Sequence, residues 1–152
     1  WLRKGAIFTP NLNLLGDFEV EGKFSYTSPS NSNMSWLGIG LFDSVDTATG
    51  CIIGMNDSWA GSSGCLTIWD INPPNGMVSV YGTAAGSRPL SGSPTYKIVR
   101  VGSTVSFYED GVLRYSYTKT DTFKTLKLIS MAYTSSYPVI TAYWDYIKVT
   151  NS

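Results

Sequence analysis

Ten consecutive residues, 17–26, alternate between apolar and polar side chains almost without a break. Phe18, Val20, Phe24 and Tyr26 fall on one side; Glu19, Glu21, Lys23 and Ser25 fall on the other. A period of two fits an extended strand with one buried and one solvated face. No segment of useful length carries the 3.6-residue apolar period that a helix needs, although a single helical turn is expected at residues 121–125.

The rest of the chain repeats this pattern in short pieces. Residues 35–42 are apolar with Gly38 and Gly40 interleaved, which predicts a central strand that something approaches closely. Strand runs follow at 51–55, 65–71 and 77–81, then a meander at 95–101, 105–108 and 112–117, and last 126–133 and 140–149. Polar or Gly/Pro-rich turns separate them, among them Asp110-Gly111, a tight-hairpin dipeptide. About ten to twelve strands at such spacing predict a β-sandwich or barrel. With no repeat, linker or shift of composition, one domain is expected to span residues 1–152.

Composition agrees with an all-β class. Val, Ile and Thr number 10, 10 and 15, whereas Ala is 7, Glu 3 and Gln 0. The formal net charge is zero, so the basic footprint of a nucleic-acid partner is missing. There is no His, which excludes Ser-His-Asp and Cys-His catalysis and every imidazole metal site. No apolar run reaches the roughly 18 residues of a membrane helix, so no membrane insertion is expected. The first residue is Trp1, as in a mature product or a piece of something longer. Surface polarity carried by 20 Ser and 15 Thr suggests a place outside the cell.

Cys51 and Cys65 flank a strand, a Gly/Ser-rich turn and a second strand. If that turn centres near Ser58, the two face each other and can form one disulfide; two buried thiols are the alternative. Asn33-Met34-Ser35 and Asn56-Asp57-Ser58 match the glycosylation sequon, a match that arises often in a chain this rich in Ser and Thr.

Four segments resemble, in their order, the concanavalin A-like lectin/glucanase superfamily: LGDFEVE at 15–21, WLGIGLF at 36–42, YKIVRVGSTVSFYEDGVL at 96–113 and AYWDYIKV at 142–149. The third is most like laminin-G-like modules, in which a strand, Val-Gly, a second strand ending Tyr-x-Asp-Gly and a third strand follow one another. The resemblance implies a jelly-roll β-sandwich of two antiparallel sheets. It specifies fold far better than ligand.

Glycosidases of that superfamily carry paired acids on one strand, typically Glu-x-Asp-x-x-Glu. Here Glu19 and Glu21 share a face, but the middle acid is Glu and no third carboxylate follows. Hydrolysis needs a second, protonated carboxyl across the scissile bond, so no catalytic residue is assigned and both are read as solvated. Asp43 and Asp46, three apart on a loop after a central strand, are the most compact oxygen-ligand pair for a structural calcium, which many superfamily members bind.

Aromatic residues are abundant, at 14% of the chain. Sugars present flat C–H faces on which such rings stack, with polar groups taking the hydroxyls. Alternation sets Trp69 opposite Leu66 and Ile68, and Tyr81 opposite Val78 and Val80, so both are expected on an outer sheet face. Trp59 lies in a turn without apolar neighbours. These three rings, with Asp70, Asn72 and Arg88 as polar company, are the candidate ligand contacts; packing is the competing role for each. The expectation is a non-catalytic, lectin-like carbohydrate-binding module from a larger extracellular or virion-surface protein, binding a glycan. The alternatives are a structural or protein-interaction sandwich of a fibre, spike or capsid, whose aromatics pack against sister chains in a homo-oligomer or parent assembly, and a glycosidase remnant.

Overall fold

The computed structural model describes residues 5–8, 11–14, 16–27, 35–43, 49–56, 65–72, 77–83, 91–132 and 141–151. They form strands β1 (Gly5–Phe8), β2 (Asn11–Leu14), β3 (Phe18–Thr27), β4 (Ser35–Phe42), β5 (Gly50–Asn56), β6 (Cys65–Ile71), β7 (Met77–Gly82), β8 (Ser91–Gly92), β9 (Thr95–Val101), β10 (Thr104–Glu109), β11 (Val112–Thr118), β12 (Phe123–Ala132) and β13 (Thr141–Asn151). The expected sandwich is present. One sheet runs β1-β12-β4-β5-β6-β7 with β2 also on β12; the other runs β11-β10-β9-β3-β13 with β8 also on β3. Every pairing is antiparallel.

Alternation positions the core. Along β3 every second residue from Phe18 to Tyr26 is buried and the intervening ones are half-buried. Those residues meet Leu37, Ile39 and Leu41 of β4, Ile53 of β5, and Leu66 and Ile68 of β6 from the first sheet. Phe18 packs edge-on against Phe123, ring centroids 6.0 Å apart. Gly22 leaves the space that Trp144 and Ile39 fill, since a Cβ there would lie 2.9 Å from the Trp144 ring.

Two sequence expectations are corrected. Residues 121–125 form no helical turn: β12 starts at Phe123, whose ring belongs to the core. The Cys51–Cys65 disulfide does not form. In the β5–β6 register Cys51 pairs with Asp70 and Cys65 with Asn56, so the turn centres past Ser58. The cysteines thus stand five strand positions apart, roughly 16 Å at the rise of a strand. A disulfide spans at most about 7 Å between Cα atoms. Cys51 is a free, buried thiol.

Candidate functional site

The outer faces of the two sheets differ in chemistry. On the β3 sheet the outer face is polar: Lys97 pairs with Glu19 at 3.4 Å, and Ser116 bonds Ser106 at 2.9 Å. The Lys97 ammonium also sits 5.3 Å over the Tyr108 ring. This is the usual solvated side of an antiparallel sheet. The outer face of the β4 sheet is apolar instead. Phe42, Ile52, Ile71 and Ile129 are buried there as a second cluster, with Trp69 packed against it.

Glycines make this second cluster possible. The Phe42 ring folds over Gly40 and Gly50, each of whose added Cβ would lie 2.7 Å from it. Lys127 Nζ stands 4.5 Å above the same ring, a cation–π contact. Two positions along the strands, on the same face, the registers define a row across five strands: Ile129 on β12, Gly38 on β4, Gly54 on β5, Thr67 on β6 and Gly82 on β7. Five strands at their usual spacing span roughly 19 Å. Gly38 and Gly54 approach so closely that a Cβ on Gly38 would lie 2.3 Å from the Ile53 carbonyl oxygen and 2.6 Å from Gly54 Cα.

The missing side chains leave a shallow furrow with a backbone floor. Ile129 and Thr67 stand at its two sides, and Ile52 lies on the wall. Trp69 is cross-strand from Ile52 and extends that wall. The Thr67 hydroxyl donates to the Gly54 carbonyl at 3.5 Å, which leaves its lone pairs as an acceptor at the furrow. A backbone floor, an apolar wall and one hydroxyl at its side offer a shallow surface on which a flat apolar face can rest.

Among the expected ligand contacts, only Trp69 lies on this wall. Tyr81 is on the opposite face, contrary to expectation. A β-bulge lets Ile68 pair with Tyr81 while Trp69 pairs with Ser79, so Val80 is the extra residue and the alternation of β7 reverses there. The Tyr81 ring packs inward, 6.1 Å from that of Tyr115 in the other sheet. Asp70 also points between the sheets and is engaged: it accepts from Tyr117 Oη at 3.0 Å and from Lys119 Nζ at 2.7 Å. Asn72 is exposed just past the end of β6, outside the furrow row. Trp59 and Arg88 lie outside the described residues, as does Asp46 of the calcium pair. Asp43 follows β4, its N–H bonded to the Thr49 carbonyl at 3.1 Å. Among the described residues no three Cys, Asp or Glu side chains are grouped so as to hold a metal ion.

The inward charges form a cluster of their own. Lys119, 5% exposed at its side chain, bridges Asp70 and Asp121 at 2.7 Å each. Burial pulls the Lys119 ammonium down, but its hydrogen bonds to Asp121 and Asp70 outweigh that and hold its pKa above the usual lysine value. Burial pushes the neighbouring Cys51 thiol up to about 12, and burial with the Cys51 and Asp70 charges raises the Tyr117 phenol. This cluster joins the sheets and does not open onto the furrow.

Sequence reasoning missed Gly54, Thr67, Ile52 and Ile129. The available signal was the interleaving of Gly38 and Gly40 with apolar residues, which marks a close approach without saying by what.

No protein-family model and no curated protein matches the chain. Solved structures do. An alginate lyase from Pseudomonas aeruginosa superposes with a TM-score of 0.67 at 13% identity, over 93% of this chain and 68% of that one. A tetrameric galectin from the ball sponge Cinachyrella gives 0.63 at 9% identity, over 94% and 98%. A carbohydrate binding module from Bacillus subtilis gives 0.59 at 10%, over 93% and 76%. At such identities the likeness is one of fold. These jelly-roll sandwiches are consistent with the concanavalin A-like resemblance of the four sequence segments.

Proposed function

We propose that this domain is a non-catalytic carbohydrate-binding module that lays a glycan chain along the Gly38–Gly54 furrow. The observation that carries the reading is the furrow: a floor without side chains, an apolar wall of Ile52 and Trp69, and the Thr67 hydroxyl beside it. A bare backbone floor lets a flat sugar ring approach, and the C–H face of the ring gains contact with the wall. Galectins and a carbohydrate binding module among proteins of the same fold support this reading without deciding it. A shallow groove that buries little of each sugar predicts dissociation constants of roughly micromolar to millimolar per site. Avidity would then come from several copies on one assembly, on an extracellular or virion surface.

A second reading has its own support. Trp69, half-buried on top of the outer cluster of Phe42, Ile52, Ile71 and Ile129, would also suit a protein partner, as in a fibre or spike assembly. Affinity electrophoresis through gels containing soluble polysaccharides separates the two. Trp69→Ala is expected to lower retardation about tenfold, and Thr67→Lys, which fills the furrow from its side, to do the same, with circular dichroism checking that the fold is kept. Both variants binding as wild type would overturn the glycan reading. Concentration-dependent self-association that the same substitutions abolish would favour the second.

A further inference from the structure

β13 carries a β-bulge beside its cross-strand partner β3: Trp144 pairs with Phe24, and the next pair is Tyr146 with Lys23. Asp145 is the extra residue. In a regular strand Tyr143 and Tyr146, three apart, would point to opposite faces. The bulge puts both on the outer face while Trp144 and Ile147 stay packed on the core. Tyr143 is 69% exposed and Tyr146 42%, the two most exposed aromatic side chains among the large hydrophobics of the described residues.

Polar groups surround the pair. The Asp145 carboxylate accepts from the Ser25 hydroxyl at 3.4 Å, and Ser25 lies 3.3 Å from the Ser93 hydroxyl. The Tyr146 hydroxyl donates to Glu21 Oε1 at 2.7 Å, which fixes the orientation of its ring. Tyr143 stands directly across the strand from Ser25. Two outward rings, a carboxylate that can accept from two hydroxyls, and two serine hydroxyls are the groups that hold a pyranose ring by stacking and by hydrogen bonds.

We infer that Tyr143, Asp145 and Tyr146 form a second glycan-binding site, on the opposite sheet from the furrow, that takes a neutral hexopyranose unit. The carboxylates of Asp145 and Glu21 are matched on this face by Lys23, cross-strand from Tyr146, and Lys148, cross-strand from Glu21, so the site favours an uncharged sugar over an acidic one. By contrast, the outer face of the furrow sheet carries the cationic Lys127. The inference goes beyond the furrow reading and stands on different residues. Where both sites operate, a single domain holds two glycan chains on its two faces and cross-links them without needing a second copy.

The test uses affinity electrophoresis of the intact domain in gels containing a soluble β-glucan, galactan, mannan or polyuronate. The Thr67→Lys variant is expected to retain retardation by at least one neutral polysaccharide. Adding Tyr143→Ala should weaken the remaining affinity at least tenfold, and Asp145→Asn at least threefold. Circular dichroism is expected to be unchanged, since Tyr143 is exposed. Retardation of the double variant equal to that of Thr67→Lys overturns the second site, as does a wild type retarded by no neutral polysaccharide. If the furrow reading alone fails, Thr67→Lys binds as wild type while Tyr143→Ala by itself loses binding, so the two failures are distinct.

Discussion

Lys119 Nζ lies 2.7 Å from Asp70 Oδ1, an ion pair that fastens the β6 strand of one sheet to the segment leaving β11 in the other. The same ammonium reaches Asp121 at 2.7 Å, and the Lys119 side chain is 5% exposed. Replacing the lysine by methionine leaves two carboxylates in a partly buried space without their shared cation. Breaking such a pair from one side costs far more than the pair contributes net, because the remaining charge stays unpaired. Lys119→Met is expected to lower unfolding free energy by about 3 kcal/mol, read from the midpoint of a urea titration. A loss under 1 kcal/mol would show the charges to be solvated.

The same cluster sets an alkaline limit. The Cys51 thiol ionises near 9.0 when unfolded and only at about 12 in the fold, because burial opposes the thiolate. Between those values the unfolded chain sheds a proton that the native chain keeps, so stability is full below pH 9 and falls as pH rises toward 12. Tyr117 and Lys119 are also raised, so their contributions are lost over the pH range above their ordinary values of 10.0 and 10.5. In a Cys65→Ser background, the urea midpoint is expected to start falling near pH 9. Adding Cys51→Ala should move that onset upward by about one pH unit, to where Tyr117 and Lys119 titrate.

How much of this was legible in the sequence differs by level. The strands of the meander and the β3 strand follow from alternation and from Asp110-Gly111, which takes the positive φ a tight turn demands. Strand number and spacing left a sandwich or a barrel open, and the resemblance of the four segments implied the two-sheet sandwich. The face of a given side chain is less secure, because it depends on register, and one inserted residue inverts it. The bulge opposite Ile68 turned Tyr81 inward, and the bulge after Trp144 turned Tyr146 outward; neither leaves a mark in the local pattern. The distance between Cys51 and Cys65 likewise depended on where the connecting turn is centred. The furrow requires Gly38 and Gly54 to be cross-strand partners, and that pairing of residues sixteen apart is not written in either segment alone.

The floor of the furrow makes its own prediction about stability. A methyl group on Gly38 would lie 2.3 Å from the Ile53 carbonyl oxygen, a backbone atom that cannot swing away as a side chain would. The β4–β5 pairing would have to part. Gly38→Ala is expected to cost on the order of 3 kcal/mol or to prevent folding. Gly102→Ala is the matched control: its φ of +57° is unfavourable for alanine, yet a Cβ there meets nothing within 4 Å. That substitution should cost about 1 kcal/mol, through backbone strain alone. Equal effects of the two in thermal melts would mean that the close approach of β4 and β5 is absent.

Glu19 and Glu21 give the last prediction, because they are the residues nearest to a glycosidase pattern. Both lie on the outer face of β3, away from the furrow sheet, Glu19 paired with Lys97 and Glu21 accepting from Tyr146. A retaining or inverting mechanism needs the two carboxyls on either side of the scissile bond, one of them protonated. Glu19 and Glu21 lack the third carboxylate of the glycosidase pattern, and each is tied to its own partner. Glutamine keeps an oxygen for the Tyr146 hydroxyl and removes the charge facing Lys97, an exposed pair worth up to about 1 kcal/mol. The Glu19→Gln, Glu21→Gln double variant is therefore expected to fold, to lose at most about 1 kcal/mol, and to bind polysaccharide at the furrow with wild-type affinity. Neither protein should release reducing ends from a polysaccharide it binds. Release by the wild type that the double variant abolishes would make these two carboxylates catalytic and the domain an enzyme.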